Sequence, residues 1–201
     1  MKKVFFLIAV LSISCMAFSQ SAEEFFYRGT VKDSLQDYEG AIEDYTKAIE
    51  LDPKYVIAYN NRGYAKYNLQ DFSGAIEDYS KSIEINPKDE SAYFFRGYAK
   101  YGLQDDKGAI NDFTKAIEFD SMNQAAYYTR GSAKYNIQDY SGAIEDYSKA
   151  IGFNPNNAMA YYNRGSAKIE LGQNDSGCQD LSKAMELGVK KASDLIKEYC
   201  K

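Results

Sequence analysis

All five arginines of the chain, Arg28, Arg62, Arg96, Arg130 and Arg164, stand 34 residues apart, and each precedes a glycine. A row of guanidiniums at fixed spacing would suit an anionic ligand, because the planar fork matches carboxylate and phosphate oxygens. Sixteen residues after each arginine comes an aspartate: Asp44, Asp78, Asp112, Asp146 and Asp180. That one-to-one match favours an internal ion-pair ladder over a ligand site, since a buried, unpaired arginine is costly. The chain has no histidine. The commonest general base and metal ligand is therefore missing, and with it most hydrolytic and zinc chemistry. With no Gly-rich phosphate loop or nucleophile motif either, no catalytic residue, cofactor or metal site is assigned, and the chain reads as a non-enzyme.

The start of the chain reads as an export signal: Lys2 and Lys3, the apolar run Val4 to Ile13, then Ala17-Phe18-Ser19. Ten apolar residues are too few for a permanent span, which needs roughly 20. Cleavage after Ser19 is expected, with a mature chain in the periplasm or outside the cell. Lipidation of Cys15 is the weaker alternative, because the leucine such a site carries three places upstream is displaced to Leu11. Without Lys2 and Lys3 there are 22 basic against 29 acidic residues, a net charge of −7. Nucleic acid and anionic membrane surfaces are poor partners for such a chain. The remaining cysteines, Cys178 and Cys200, are even in number in an exported protein. A last hairpin turning near Val189 would set them at one height on antiparallel helices, which favours a disulfide over two free thiols.

The unit Val56 to Asp89 shows which elements hold the arginines. Tyr59, Arg62, Gly63 and Lys66 share one face of a first helix. Gln70-Asp71 interrupts it, with Asp71 as N-cap, and Ala75, Ile76, Tyr79, Ser82 and Ile83 continue the helical period until Pro87. Pro53, Pro87 and Pro155 keep the 34-residue beat, with Ser121 in the missing place. Self-similarity at this length means one helix hairpin stacked on copies of itself. Glycine inside a helix costs about 1 kcal/mol relative to alanine, so Gly29, Gly63, Gly97, Gly131 and Gly165 imply close helix contact. Ala41, Ala75, Ala109, Ala143 and Gly177 are the expected facing residues. Lys47, Lys81, Lys115, Lys149 and Lys183 follow Glu43, Glu77, Asn111, Glu145 and Gln179 by four places, a solvated face with three i,i+4 ion pairs. Ser21 and Glu24 form a capping box at the start. At the end, Ala192, Leu195, Ile196 and Tyr199 give a cap helix over residues 189–201.

These features resemble the tetratricopeptide repeat family, whose pattern places a large aromatic, a glycine, an alanine, a second aromatic and a proline where Tyr59, Gly63, Ala75, Tyr79 and Pro87 stand. Arg62 and Lys66 depart from it, replacing the usual leucine and tyrosine. The resemblance implies an all-α, right-handed superhelical solenoid of five hairpins, at 22–55, 56–89, 90–123, 124–157 and 158–191, plus the cap helix. It also implies a concave groove lined by Phe26, Asn60, Tyr64, Tyr67, Asn68, Phe94, Tyr98, Tyr101, Tyr128, Tyr135, Asn136 and Tyr162. Tyrosine offers large contact area at small entropic cost, and about half of these rings are expected to pack between repeats. Tyr59, Tyr93, Tyr127 and Tyr161 are assigned to the core. Chaperone-tail binders of the family carry a groove lysine where this chain has Phe26, Asn60, Phe94, Tyr128 and Tyr162, so no carboxylate clamp is expected. The expected activity is binding of a peptide or protein segment. A glycan-binding module, with Asn60, Asn68 and Asn136 bonding hydroxyls, and a self-assembling repeat are the alternatives.

Overall fold

The computed structural model describes residues 21–200. The export signal, the cleavage point and Cys15 lie outside them. First helices of the hairpins are α1 (Ala22–Ser34), α3 (Val56–Asn68), α5 (Glu90–Gly102), α7 (Gln124–Asn136) and α9 (Ala158–Glu170). Second helices are α2 (Tyr38–Leu51), α4 (Phe72–Ile85), α6 (Asp106–Phe119), α8 (Tyr140–Phe153) and α10 (Asn174–Glu186), and α11 (Ala192–Tyr199) closes the array. The described residues are thus all-α. Each helix packs on its sequence neighbours. First helices also touch the next first helix, whereas second helices do not touch one another. The row of first helices therefore lies on the inner side of the curve.

Local chemistry sets the joints. Asp37, Asp71, Asp105 and Asp139 cap the second helices, each accepting from the backbone N–H three residues on. Just before them, Gln36, Gln70, Gln104 and Gln138 take φ of 61–65°, the left-handed conformation that ends a helix and reverses the chain. Ser21 and Glu24 complete the reciprocal capping box on α1. The closing helix begins at Ala192 rather than 189 because Gly188 turns the chain at φ 102° and Val189 N–H bonds back to Ala184.

The glycines meet rings rather than the expected alanines. A Cβ on Gly63 would lie 3.0 Å from Tyr79 Cζ, and one on Gly97 2.9 Å from Phe113 Cε1. Tyr45 and Tyr147 fill the same gap at Gly29 and Gly131. Only the last hairpin has the small-on-small contact, Gly165 against the Gly177 carbonyl. The fully buried large side chains are accordingly Tyr45, Tyr79, Phe113, Tyr147 and Leu181, all on second helices. Tyr59, Tyr93, Tyr127 and Tyr161 are half-buried rather than fully enclosed; Tyr59, Tyr127 and Tyr161 pack on the margin of the core clusters. Each also lies under the next arginine, 5.5–5.7 Å from guanidinium carbon to ring centre. The surface lysines pair forward by three, Lys81–Glu84, Lys115–Glu118 and Lys183–Glu186, instead of back by four. Either pairing is worth only a few tenths of a kcal/mol, so both are within reach of the same face.

Candidate functional site

The arginine row is an internal ladder. Arg62, Arg96, Arg130 and Arg164 each grip their aspartate with two N–H donors, Nη2 at 2.6–2.7 Å and Nε at 2.8–2.9 Å. Arg28 makes the same fork with Asp44. Lys66, Lys100, Lys134 and Lys168 approach the same carboxylates at 2.8 Å, and Lys32 approaches Asp44 at 2.9 Å. Two cations thus surround every buried aspartate. The Arg28 hydrogen bond is the main reason the Asp44 carboxyl is held down at about 2; burial opposes that and Lys32 assists it. Lys66 and its equivalents, which break the sequence pattern, are therefore part of the ladder.

The third guanidinium nitrogen points backward. Nη1 of Arg62, Arg96, Arg130 and Arg164 donates to Thr46, Ser80, Thr114 and Ser148 of the preceding hairpin at 3.0–3.1 Å. Each of these four arginines therefore binds its own repeat and the one before. The 34-residue recurrence of those hydroxyls is the signal by which this link is readable. With both carboxylate oxygens of each aspartate held by its arginine, and Nη1 of Arg62, Arg96, Arg130 and Arg164 taken by a hydroxyl, the interior of the ladder offers no anion site.

The groove residues divide into two clefts. Tyr64 and Tyr67 of α3 and Phe94, Phe95 and Tyr98 of α5 line an aromatic cleft of about 240 Å³. Its rings touch edge to face: Tyr64 with Phe95 at 6.1 Å, Tyr67 with Tyr98 at 6.2 Å and Phe94 with Tyr98 at 5.3 Å. Further on, Tyr101, Tyr135, Asn136 and Tyr162 meet Ser132, Tyr147, Asn163 and Ser166 in a more polar cleft of about 330 Å³. Burial pushes the Tyr67, Tyr98, Tyr128 and Tyr135 hydroxyls above the ordinary phenol value.

Three expected groove amides are already engaged. Asn60 donates to Asp89, the N-cap of α5, at 2.7 Å. Asn68 bonds back to the Tyr64 carbonyl at 2.9 Å, and Asn136 donates to Asp106 at 3.0 Å. Tyr128 packs on the Ala150 cluster, its hydroxyl accepting from Asn163. Phe95 and Tyr147 are absent from the expected groove. Phe95 sits at an offset that reads Tyr27, Asn61, Phe95, Thr129 and Asn163, too mixed to mark a face. Tyr147 belongs to a second helix and reaches the inner side only because Gly131 leaves the gap, its hydroxyl donating to Ser132 at 3.2 Å. Cys178 and Cys200 are joined in a disulfide, Cα–Cα 5.7 Å, which ties α11 to α10. No group of three or more metal-ligating side chains occurs among the described residues.

Stacked helix hairpins with an aromatic inner face define an α-solenoid repeat protein. Models described as TPR repeat match residues 34–70 and 131–172, and models described as Tetratricopeptide repeat match 56–89, 90–121 and 158–187. The chain belongs to the tetratricopeptide repeat family, a family of interaction scaffolds. No curated protein sequence matches it. Among solved structures, MamA is 28% identical with a TM-score of 0.77, over 82% of this chain and 96% of MamA. YrrB, described as a TPR protein with an unusual peptide-binding site, shares the fold at 20% identity and a TM-score of 0.80, over 89% of this chain and 92% of YrrB. The first TPR of Spaghetti (RPAP3), bound to an HSP90 peptide, is 27% identical with a TM-score of 0.58, over 59% of this chain and 94% of that one.

Proposed function

We propose that the protein is an exported, non-enzymatic scaffold that binds an extended peptide or protein segment along its inner face. One observation carries this reading: Tyr64, Tyr67, Phe94, Phe95 and Tyr98, from two consecutive hairpins, line one continuous aromatic cleft. Apolar side chains of the segment seat among those rings, and its backbone groups meet the hydroxyls and amides of the second cleft. The likeness to the RPAP3 repeat with its bound peptide supports a segment as ligand. A terminal carboxylate is not the expected anchor, because the offset that carries the clamp lysine in chaperone-tail binders holds Phe26, Asn60, Phe94, Tyr128 and Tyr162 here.

The test is selection of peptides from a random display library on the purified chain, followed by titration against Tyr64→Ala and Tyr101→Ala. Each ring, as an interface anchor, should weaken binding about tenfold or more with unchanged circular dichroism. Unchanged affinity in both variants rejects the groove. Selection of oligosaccharides but no peptides from parallel arrays would shift the reading to a glycan module. N-terminal sequencing of the exported chain should begin at Gln20.

A further inference from the structure

The four internal joints show what the first helix of a hairpin requires on its outer face. Ala65, Ala99, Ala133 and Ala167 are completely covered by the second helix before them. In the first hairpin their place is taken by Val31, which is 58% exposed, flanked by Tyr27 at 66% and Leu35 at 75%. These three lie at i, i+4 and i+8, one stripe along α1 that ends at its C-cap, Leu35. The ladder is open at the same edge. The Arg28 side chain is 41% exposed against 14–18% for the other arginines, and its Nη1 meets no hydroxyl among the described residues.

We infer that this edge is a self-association surface, at which α1 of a second copy packs antiparallel across α1 about a twofold axis beside Val31. The face is complementary to itself in that arrangement. Tyr27 and Leu35 both lie four residues from Val31, so each ring meets the leucine of the other copy. Arg28 and Ser34 both lie three residues away, which brings a hydroxyl to each spare Nη1. The Ser34 hydroxyl already donates to the Val31 carbonyl at 2.7 Å, leaving its lone pairs to accept from the guanidinium. Glu24, one turn before Arg28, leaves the stripe with charges of both signs. Head-to-tail stacking is closed off, because α11 covers α10 and the Cys178–Cys200 bond holds it there. The inner groove takes no part, so this inference stands apart from peptide binding.

A single pair of helices falls below the ~1,200 Å² of stable complexes, and self-association is expected at roughly 10–100 μM. The test uses the full chain with Cys15→Ser, so that an added thiol at position 31 is the only unpaired one. Val31→Cys should form an intermolecular disulfide under mild oxidation, because the two positions meet at the axis. Leu35→Cys, whose copies lie two turns apart across the axis, should crosslink at least tenfold less. Sedimentation equilibrium should show the dissociation constant rising at least tenfold in Val31→Glu. A chain that stays monomeric at millimolar concentration, or equal crosslinking at positions 31 and 35, overturns the proposal. So does shielding of residue 31 from alkylation in a monomer, by the first nineteen residues or by another protein.

Discussion

Replacing Asp112 by asparagine removes the acceptor at the centre of the array. Asp112 is buried and takes two bonds from Arg96, at 2.7 and 2.9 Å, and an ion pair from Lys100 at 2.8 Å. Asparagine keeps one acceptor and turns an amide donor toward a guanidinium. Two cations are then left uncompensated, although at 18% and 21% exposure each retains some water. Breaking a buried pair costs about 3–5 kcal/mol, and an exposed one about 0–1. The partial hydration places Asp112→Asn near the lower end, at about 3 kcal/mol. Asp44→Asn at the open edge should cost only about 1.5 kcal/mol, because Arg28 and Lys32 are 41% and 30% exposed. Urea unfolding followed by circular dichroism measures both. The central variant should also lower the denaturant slope, since a broken middle repeat uncouples the two halves. A loss under about 1 kcal/mol for Asp112→Asn, or equal losses for the two variants, refutes the ladder as the source of coupling.

Gly63→Ala should destabilise by about 1–2 kcal/mol despite its helix propensity, since its Cβ would press the buried Tyr79 ring at 3.0 Å. Gly152→Ala, in α8 with nothing within 4 Å, should stabilise by up to about 1 kcal/mol, and thermal melts of the two separate packing from propensity. Asp44, held at about 2 against 3.8 when free, contributes stability that is present above pH 3.8 and lost as pH falls through about 2. Discounted for the exposure of Arg28 and Lys32, that loss is about 1.5 kcal/mol, and acid titration of the unfolding midpoint should show it shrink in Asp44→Asn. Reducing the Cys178–Cys200 bond, which closes a loop of sequence separation 22, should release α11 at about 3 kcal/mol in the chain-entropy picture. Hydrogen exchange of Leu195 and Ile196 amides, faster after reduction and unchanged in α5, is the readout.

The hairpin fold was legible because its determinants are local and repeated. Asp71, Gln70, Gly63 and Pro87 mark turn, close approach and exit within one 34-residue unit; the glycine recurs in all five copies, the Gln-Asp pair in the first four and the proline in three. The arginine–aspartate match was readable for the same reason. Packing partners were less accessible: helical period places Gly63 and Ala75 on facing sides, but it does not report that the longer Tyr79 ring fills the gap first. The groove was legible at Tyr64, Tyr67, Phe94 and Tyr98, where ring type and offset coincide. It was misread at Asn60 and Asn136, whose amides serve Asp89 and Asp106 about one repeat away. A polar side chain of that reach can satisfy its own molecule or a ligand, and its spacing is the same in either case.

The backward bond of each arginine bears on how such an array grows. A hairpin carries on its first helix the guanidinium that seeks a hydroxyl, and on its second the hydroxyl that receives the next guanidinium. Thr46, Ser80, Thr114 and Ser148 are therefore sockets, and Arg62, Arg96, Arg130 and Arg164 the plugs that fit them. Inserting an in-frame 34-codon copy of an internal hairpin adds one of each and leaves none unmatched inside. The length of the chain can thus change by tandem duplication without compensating substitutions, and the groove lengthens by one hairpin each time.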